Sequence, residues 1–202
     1  MEEYMSYLNM ELEKFIEVVD SNLPAPGGGS VAALVSTLGI ALTRMMGSLA
    51  INKKKYRELD DIVKDEFTLK LKKLCSIRER LTMLIDEDTI AFNELMVAYK
   101  MPKETSREKE IRDDMIQKTT LKASEVPYEV AKISMEAMRL FPFFTEYGNM
   151  NAVTDLGVGA LLLEAGIKGA ILNVKINIGS LKDEAKVEIF KIKYEKIEEE
   201  SA

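Results

Sequence analysis

Residues 23–34 read Leu23-Pro24-Ala25-Pro26-Gly27-Gly28-Gly29-Ser30-Val31-Ala32-Ala33-Leu34. The two prolines fix φ and push the residues before them out of the helical region, so the approach is expected to be extended. The three glycines free the backbone to take positive φ angles, and Ser30 offers a hydroxyl as helix cap. From Ser30 to about Asn52 the chain is apolar on nearly every side and rich in Ala, Ser and Gly. That pattern belongs to a central helix packed closely by its neighbours. Without β-carbons, the N–H groups at its start can approach a ligand, and the helix dipole there favours negative charge. The plain alternative is a flexible connector followed by an N-cap.

Outward from this helix, every segment keeps helical periodicity. Glu2–Asp20 places Tyr4, Leu8, Leu12, Phe15, Ile16 and Val19 on one face of an amphipathic helix. Lys53-Lys54-Lys55-Tyr56 closes the central helix with positive charge, which complements its C-terminal dipole. Arg57–Lys100 contains neither Pro nor Gly, and unbroken it would run roughly 65 Å, with Ser76 as the place for a break. A charged helix follows Met101-Pro102 and runs to about Ser124. Pro127 either starts the next helix, through Leu140, or kinks a continuous one. After the turn at 147–151 a long helix spans about Ala152 to Ile178, and Asp183–Glu199 forms a charged terminal helix. No stretch shows strand alternation bounded by turns. The expected fold is all-α, a helical bundle of long antiparallel helices in a single domain over residues 1–202.

Composition narrows the chemistry. The net charge of −6 with no basic block argues against nucleic acid as a partner. One cysteine, Cys75, in a Lys-rich helix excludes a disulfide framework and suits a reducing cytoplasm. The acidic N-terminus lacks the pattern of a secretory signal. Two apolar stretches, Val31–Ile51 and Ala152–Asn177, are long enough to raise a membrane question. Arg44 interrupts the first, and Asp155, Glu164, Lys168 and Lys175 interrupt the second, so both are expected inside a soluble bundle rather than a membrane. There is no histidine. A histidine metal site is therefore excluded, and proton transfer near neutral pH falls to carboxylates, lysines, tyrosines or Cys75.

Two helices put polar groups where their own periodicity asks for apolar ones. In Leu81–Phe92 the apolar stripe runs Leu81, Leu84, Ile85, Phe92 and on to Leu95, and Asp88 projects from it. Asp86 and Glu87 fall to its sides. A carboxylate among Leu, Ile and Phe loses hydration, and its pKa rises unless cations or donors compensate, so it can exchange protons near neutral pH. The alternative is an aspartate buried in a salt bridge or cap. In the later helix, Asp155, Gly159, Leu162, Gly166, Gly169, Asn173 and Asn177 share a strip about 80° wide. Glycines there imply close approach of another backbone or a flat ligand, and the three polar side chains then need partners.

Taken together, these segments resemble the cyclodeaminase domain of the formiminotransferase-cyclodeaminase family. The resemblance is carried by Ala25–Ala33, Ile85–Phe92, Leu95–Lys103, Gly148-Asn149, Thr154–Ala160 and Asn173–Ile178. It implies an all-helical homodimer that cyclises 5-formimino-tetrahydrofolate to 5,10-methenyl-tetrahydrofolate and releases ammonia. A related branch resembles methenyl-tetrahydrofolate cyclohydrolases. The family's catalytic aspartate falls on Asp88, with Asp86 as its tuning partner. On this reading Asn149, Asp155, Asn173 and Asn177 are candidates for the pterin's amide edge. Pro26, Gly27, Gly28, Gly29, Ser30, Lys53, Lys54 and Lys55 are candidates for the carboxylates of a folate or polyglutamate tail. The substrate is the only folate required; no prosthetic group and no metal is expected. A different class of reading is a non-catalytic helical dimer that binds a small ligand and uses the glycine strip for packing alone.

Overall fold

The structure is a computed structural model and describes residues 6–201. After a 3₁₀ turn at Tyr7–Asn9 come α1 (Leu12–Val19), α2 (Gly28–Ile51), α3 (Lys54–Arg57) and α4 (Asp61–Tyr99). They are followed by α5 (Ser106–Met138), α6 (Phe141–Tyr147), a 3₁₀ turn at Met150–Ala152, α7 (Val153–Ile178) and α8 (Glu184–Ser201). Among the described residues there is no strand, and the fold is the expected all-α bundle. Helices α2, α4, α5 and α7 form its body: α2 packs on α7 and α4, and α5 packs on the same two from the other side. Residue pairings such as Ser30 with Ile85, Arg80 with Glu129 and Asn177 with Ala123 make neighbours run antiparallel. The core runs along this axis through Ile40, Met46, Phe67, Leu74, Leu81, Leu84, Val130, Leu163, Ile167 and Ile171, all fully buried.

Local chemistry explains the boundaries, including those that depart from expectation. The N-terminal stretch is not one amphipathic helix. Residues 6–9 turn as 3₁₀ because Ser6 caps Leu8 and, with the Tyr7 N–H, binds Asp86 of α4, which peels the chain off helical register. Residues 2–5 of that expected helix lie outside the described residues. In α1 only Phe15 is buried. Helix α2 starts two residues before Ser30: Gly27 is its N-cap and Ser30 lies inside its first turn. None of the glycines among the described residues takes a positive φ. The Ala25–Pro26 peptide is cis rather than part of a plain extended run. The lysine cluster does not end α2, which stops at Ile51; Lys53 caps the short α3 instead. Helix α4 passes Ser76 without a break and spans about 58 Å.

Helix α5 opens with a capping box, Thr105 with Glu108, and runs through Pro127 without ending. Proline has no N–H to give the carbonyl four residues back, Ala123, and the Asn177 side chain of α7 donates to that carbonyl at 2.7 Å. The glycine strip of α7 is a packing device over much of its length. A Cβ on Gly159 would meet the Gly39 carbonyl at 2.8 Å, and one on Gly166 would meet the Ala32 carbonyl at 3.0 Å. Helices α2 and α7 are each long and apolar enough to span a membrane, yet only 39% of the apolar window of each is buried. The expectation that both are enclosed therefore holds for one face of each helix, and the other stays open.

Candidate active site

Helix α4 brings Asp88 to the first turn of α2. Its Oδ2 lies 3.1 Å from Ser30 Oγ, and a Cβ on Gly29 would fall 2.5 Å from Asp88 Cγ and 2.6 Å from Oδ2. No side chain could occupy position 29 with the carboxylate where it is. Gly28 plays the same part toward α7, where a Cβ would stand 3.1 Å from Asn173 Nδ2. The glycine run thus serves approach rather than turning. Buried Pro26 and half-buried Gly27 line the way into the helix start.

Asp88 is half-buried, as are Asp86 and Glu87, so the three do not separate by exposure as the periodicity suggests. They separate by partners. Glu87 is held by Arg80, which also grips Glu129 of α5 in a bidentate pair. Asp86 accepts hydrogen bonds from Ser6 Oγ and the Tyr7 N–H. Asp88 is held by Ser30: burial pushes its carboxyl above the ordinary value of 3.8, and the Ser30 hydroxyl and backbone N–H offset that only in part. The start of α2, whose dipole favours an anion, is the remaining electrostatic support. The arrangement can take up and return a proton at the open edge of a polar site.

The sequence candidates divide into two groups. Pro26, Gly27, Gly28, Gly29, Ser30, Asp88 and Asn173 meet at one end of the bundle, with Asp86 half a turn from Asp88 and Asn177 one turn beyond Asn173. Asn173 Nδ2 also donates to the Gly169 carbonyl of its own helix at 2.9 Å. Lys53, Lys55 and Asn149 line a cavity of about 210 Å³ at the other end of α2. Its 24 residues put them about 36 Å away. Lys55 Nζ donates to the Glu146 carbonyl, Asn149 caps its own 3₁₀ turn, and exposed Lys54 faces Glu58. Asp155 lies in the first turn of α7, likewise at that far end. Thr89 joins the site unannounced: it is buried and 3.2 Å from Ser30 Oγ. Its one sequence signal is its place four residues after Ile85, on the same apolar stripe. A cavity of about 980 Å³ between α4 and α5, around Ile90, Val97 and Met115, lies away from Asp88.

A carboxylate raised above its ordinary value and held against a glycine-lined helix start in an all-α bundle defines the class of site, with no metal-ligand clustering among its described residues. Comparison with known proteins makes the class specific. Residues 11–196 match the family model described as formiminotransferase-cyclodeaminase, and the chain belongs to that family. It is 37% identical to a methenyltetrahydrofolate cyclohydrolase of Methylorubrum extorquens, over 88% of this chain and 83% of that protein. It is 35% identical to the formimidoyltransferase-cyclodeaminase of Gallus gallus, over 86% of this chain but only 31% of that longer protein. The crystal structure of formiminotetrahydrofolate cyclodeaminase from Thermotoga maritima superposes with a TM-score of 0.82 at 26% identity, over 96% of this chain and 90% of that one.

Proposed function

We propose that this protein is a folate one-carbon enzyme that cyclises 5-formimino-tetrahydrofolate to 5,10-methenyl-tetrahydrofolate with release of ammonia, using Asp88 as proton shuttle. Family membership supports an enzyme of the cyclodeaminase or cyclohydrolase kind. The observation that carries the assignment to Asp88 is its carboxylate at the glycine start of α2, raised above its ordinary value and without a cation partner among the described residues. Folate N10 attacks the amidinium carbon on N5, a C–N bond forms, and Asp88 takes the N10 proton. Asp88 returns that proton to the amino group, the second C–N bond breaks, and ammonia leaves the methenyl cation. The attack is intramolecular, so positioning supplies much of the acceleration, and the shuttle supplies the proton balance.

Cyclohydrolase activity is the second reading, favoured by the identity to the Methylorubrum extorquens protein over most of its length. The same site would then work on the methenyl carbon in the hydrolytic direction. The proposal includes a cytoplasmic homodimer and a folate substrate, polyglutamylated or not. Exposed Leu38, Met45 and Leu49 of α2 and Leu161, Leu172 and Ile176 of α7 supply an apolar face for a second copy. Lys53, Lys55 and Asn149 could meet a ligand at Asp88 only from such a copy.

Turnover of 5-formimino- and 5,10-methenyl-tetrahydrofolate, measured side by side with ammonia release, tests the reading. Methenyl absorbance should rise from the first substrate, with one ammonia per turnover. Decay of the methenyl substrate alone would give the second reading instead, and inactivity on both would leave the non-catalytic dimer. Asp88→Asn should abolish turnover while folate binding persists; a variant that keeps most of its activity would remove Asp88 from the mechanism.

A further inference from the structure

Ser30 Oγ has three polar atoms around it and one hydrogen to give. The Ile85 carbonyl lies at 2.8 Å, Asp88 Oδ2 at 3.1 Å and the Thr89 hydroxyl at 3.2 Å. Ser30 is wholly buried and Thr89 nearly so, which leaves their two hydroxyls dependent on protein partners. Behind Thr89 stands the Tyr7 phenol, which interacts with the Thr89 hydroxyl. Tyr7 is brought there by the 3₁₀ turn that Asp86 holds. A row of hydroxyls thus leads from the N-terminal turn to the carboxyl group.

We propose that Ser30 is a positioning residue whose hydroxyl rotates to keep Asp88 hydrogen-bonded in both of its protonation states. When Asp88 is a carboxylate, Ser30 donates to Oδ2 and accepts from Thr89. When Asp88 carries the proton, its O–H donates to Ser30 Oγ, and Ser30 turns its own hydrogen to the Ile85 carbonyl. No bond to carbon changes and no other group gains or loses a proton. The benefit is that neither state leaves a buried donor or acceptor unpaired, a condition that costs far more than the bond itself gains. The other polar groups nearby are engaged elsewhere: Gly28 and Gly29 carry no side chain, the Asn173 amide donates to the Gly169 carbonyl of its own helix, Glu87 and Glu129 are tied to Arg80, and Asp86 holds Ser6 and Tyr7.

This inference rests on Asp88 being the proton shuttle, and Ser36 provides the control that separates the two. Ser36 lies further along the same helix, is equally buried, and has no hydrogen-bond partner for its hydroxyl among the described residues. Ser30→Ala should lower kcat by about tenfold or more with KM nearly unchanged, since a hydrogen bond to an ionised group is lost. The acid limb of its pH–rate profile should move up by about one unit, because the donor favouring the carboxylate is gone. Carbon-13 NMR of the Asp88 carboxyl in the ligand-free protein should show the same upward move. Ser36→Ala should shift neither. Should Ser30→Ala lose its thermal transition, Thr89→Val carries the test, with a smaller move of the same limb expected. A profile and carboxyl titration in both Ser30→Ala and Thr89→Val that overlay the wild type, with Asp88→Asn inactive, would overturn the role of Ser30 and leave the shuttle standing. An active Asp88→Asn would overturn both.

Discussion

Asp88→Asn changes one atom of a side chain and removes its titration, which makes stability a probe of the site that needs no substrate. Burial holds the native carboxyl above its ordinary value of 3.8, so the folded chain binds this proton more tightly than the unfolded chain does. By linkage, the group's contribution to stability is complete below the unfolded value and is lost as pH rises through the folded one. The asparagine pays no such penalty. The expected outcome is that Asp88→Asn melts above the wild type at neutral pH, that the gap closes as pH falls toward 4, and that it stays constant above the folded value. Thermal melts of both proteins across pH 3–8 check this. A gap of the opposite sign would mean that Asp88 is held as a stabilised carboxylate.

At the scale of elements, the α5–α7 pair shows how one sequence signal hides another. Pro127 is buried in the middle of α5, where the Ala123 carbonyl is left without its helical donor. Asn177 supplies that donor from α7. Asn177→Ala should therefore cost about 1–3 kcal/mol by leaving a buried carbonyl unpaired. In a Pro127→Ala background, residue 127 regains an N–H, and the same substitution should cost measurably less. Denaturant unfolding of the four proteins of this cycle gives the coupling, and a coupling near zero would separate the two residues. The same pair marks the limit of what periodicity could tell. Seven residues of one strip are legible as special in the sequence, but the strip does not say that Gly159 and Gly166 serve the backbone of α2 while Asn173 faces Gly28 and Asn177 serves a proline. The long central helices and the exceptional place of Asp88 are legible because each follows from spacing along one helix, whereas the short α3 and α6 and the passage of α5 through Pro127 are not. Ser30, Thr89 and Asp86 acquire their roles from contacts across 55 or more residues, and no local pattern encodes those.

For the whole molecule the open question is why two of its most apolar helices leave a face uncovered. Leu161 and Leu172 of α7 are each 66% exposed and Ile176 is 73% exposed, while Leu38, Met45 and Leu49 lie exposed along α2. Such a stripe costs solubility unless something covers it, and on the proposed homodimer a second copy about a two-fold axis would cover it with the same surface. A two-fold perpendicular to α2 would also lay the Lys53, Lys55 and Asn149 end of one copy toward the Asp88 end of the other, which joins candidates that one chain holds about 36 Å apart. Leu161→Glu together with Ile176→Glu should then yield a folded monomer by light scattering, since both side chains already face outward in the single chain. That monomer should lose turnover even though Asp88 is intact. Co-expressing an Asp88→Asn chain with a chain carrying Lys53→Gln and Lys55→Gln should restore part of the activity, because one of the two sites in each mixed pair would be whole. Full activity in the double-glutamate monomer would place the complete site within one chain and leave the lysine cluster as an ordinary solvated turn.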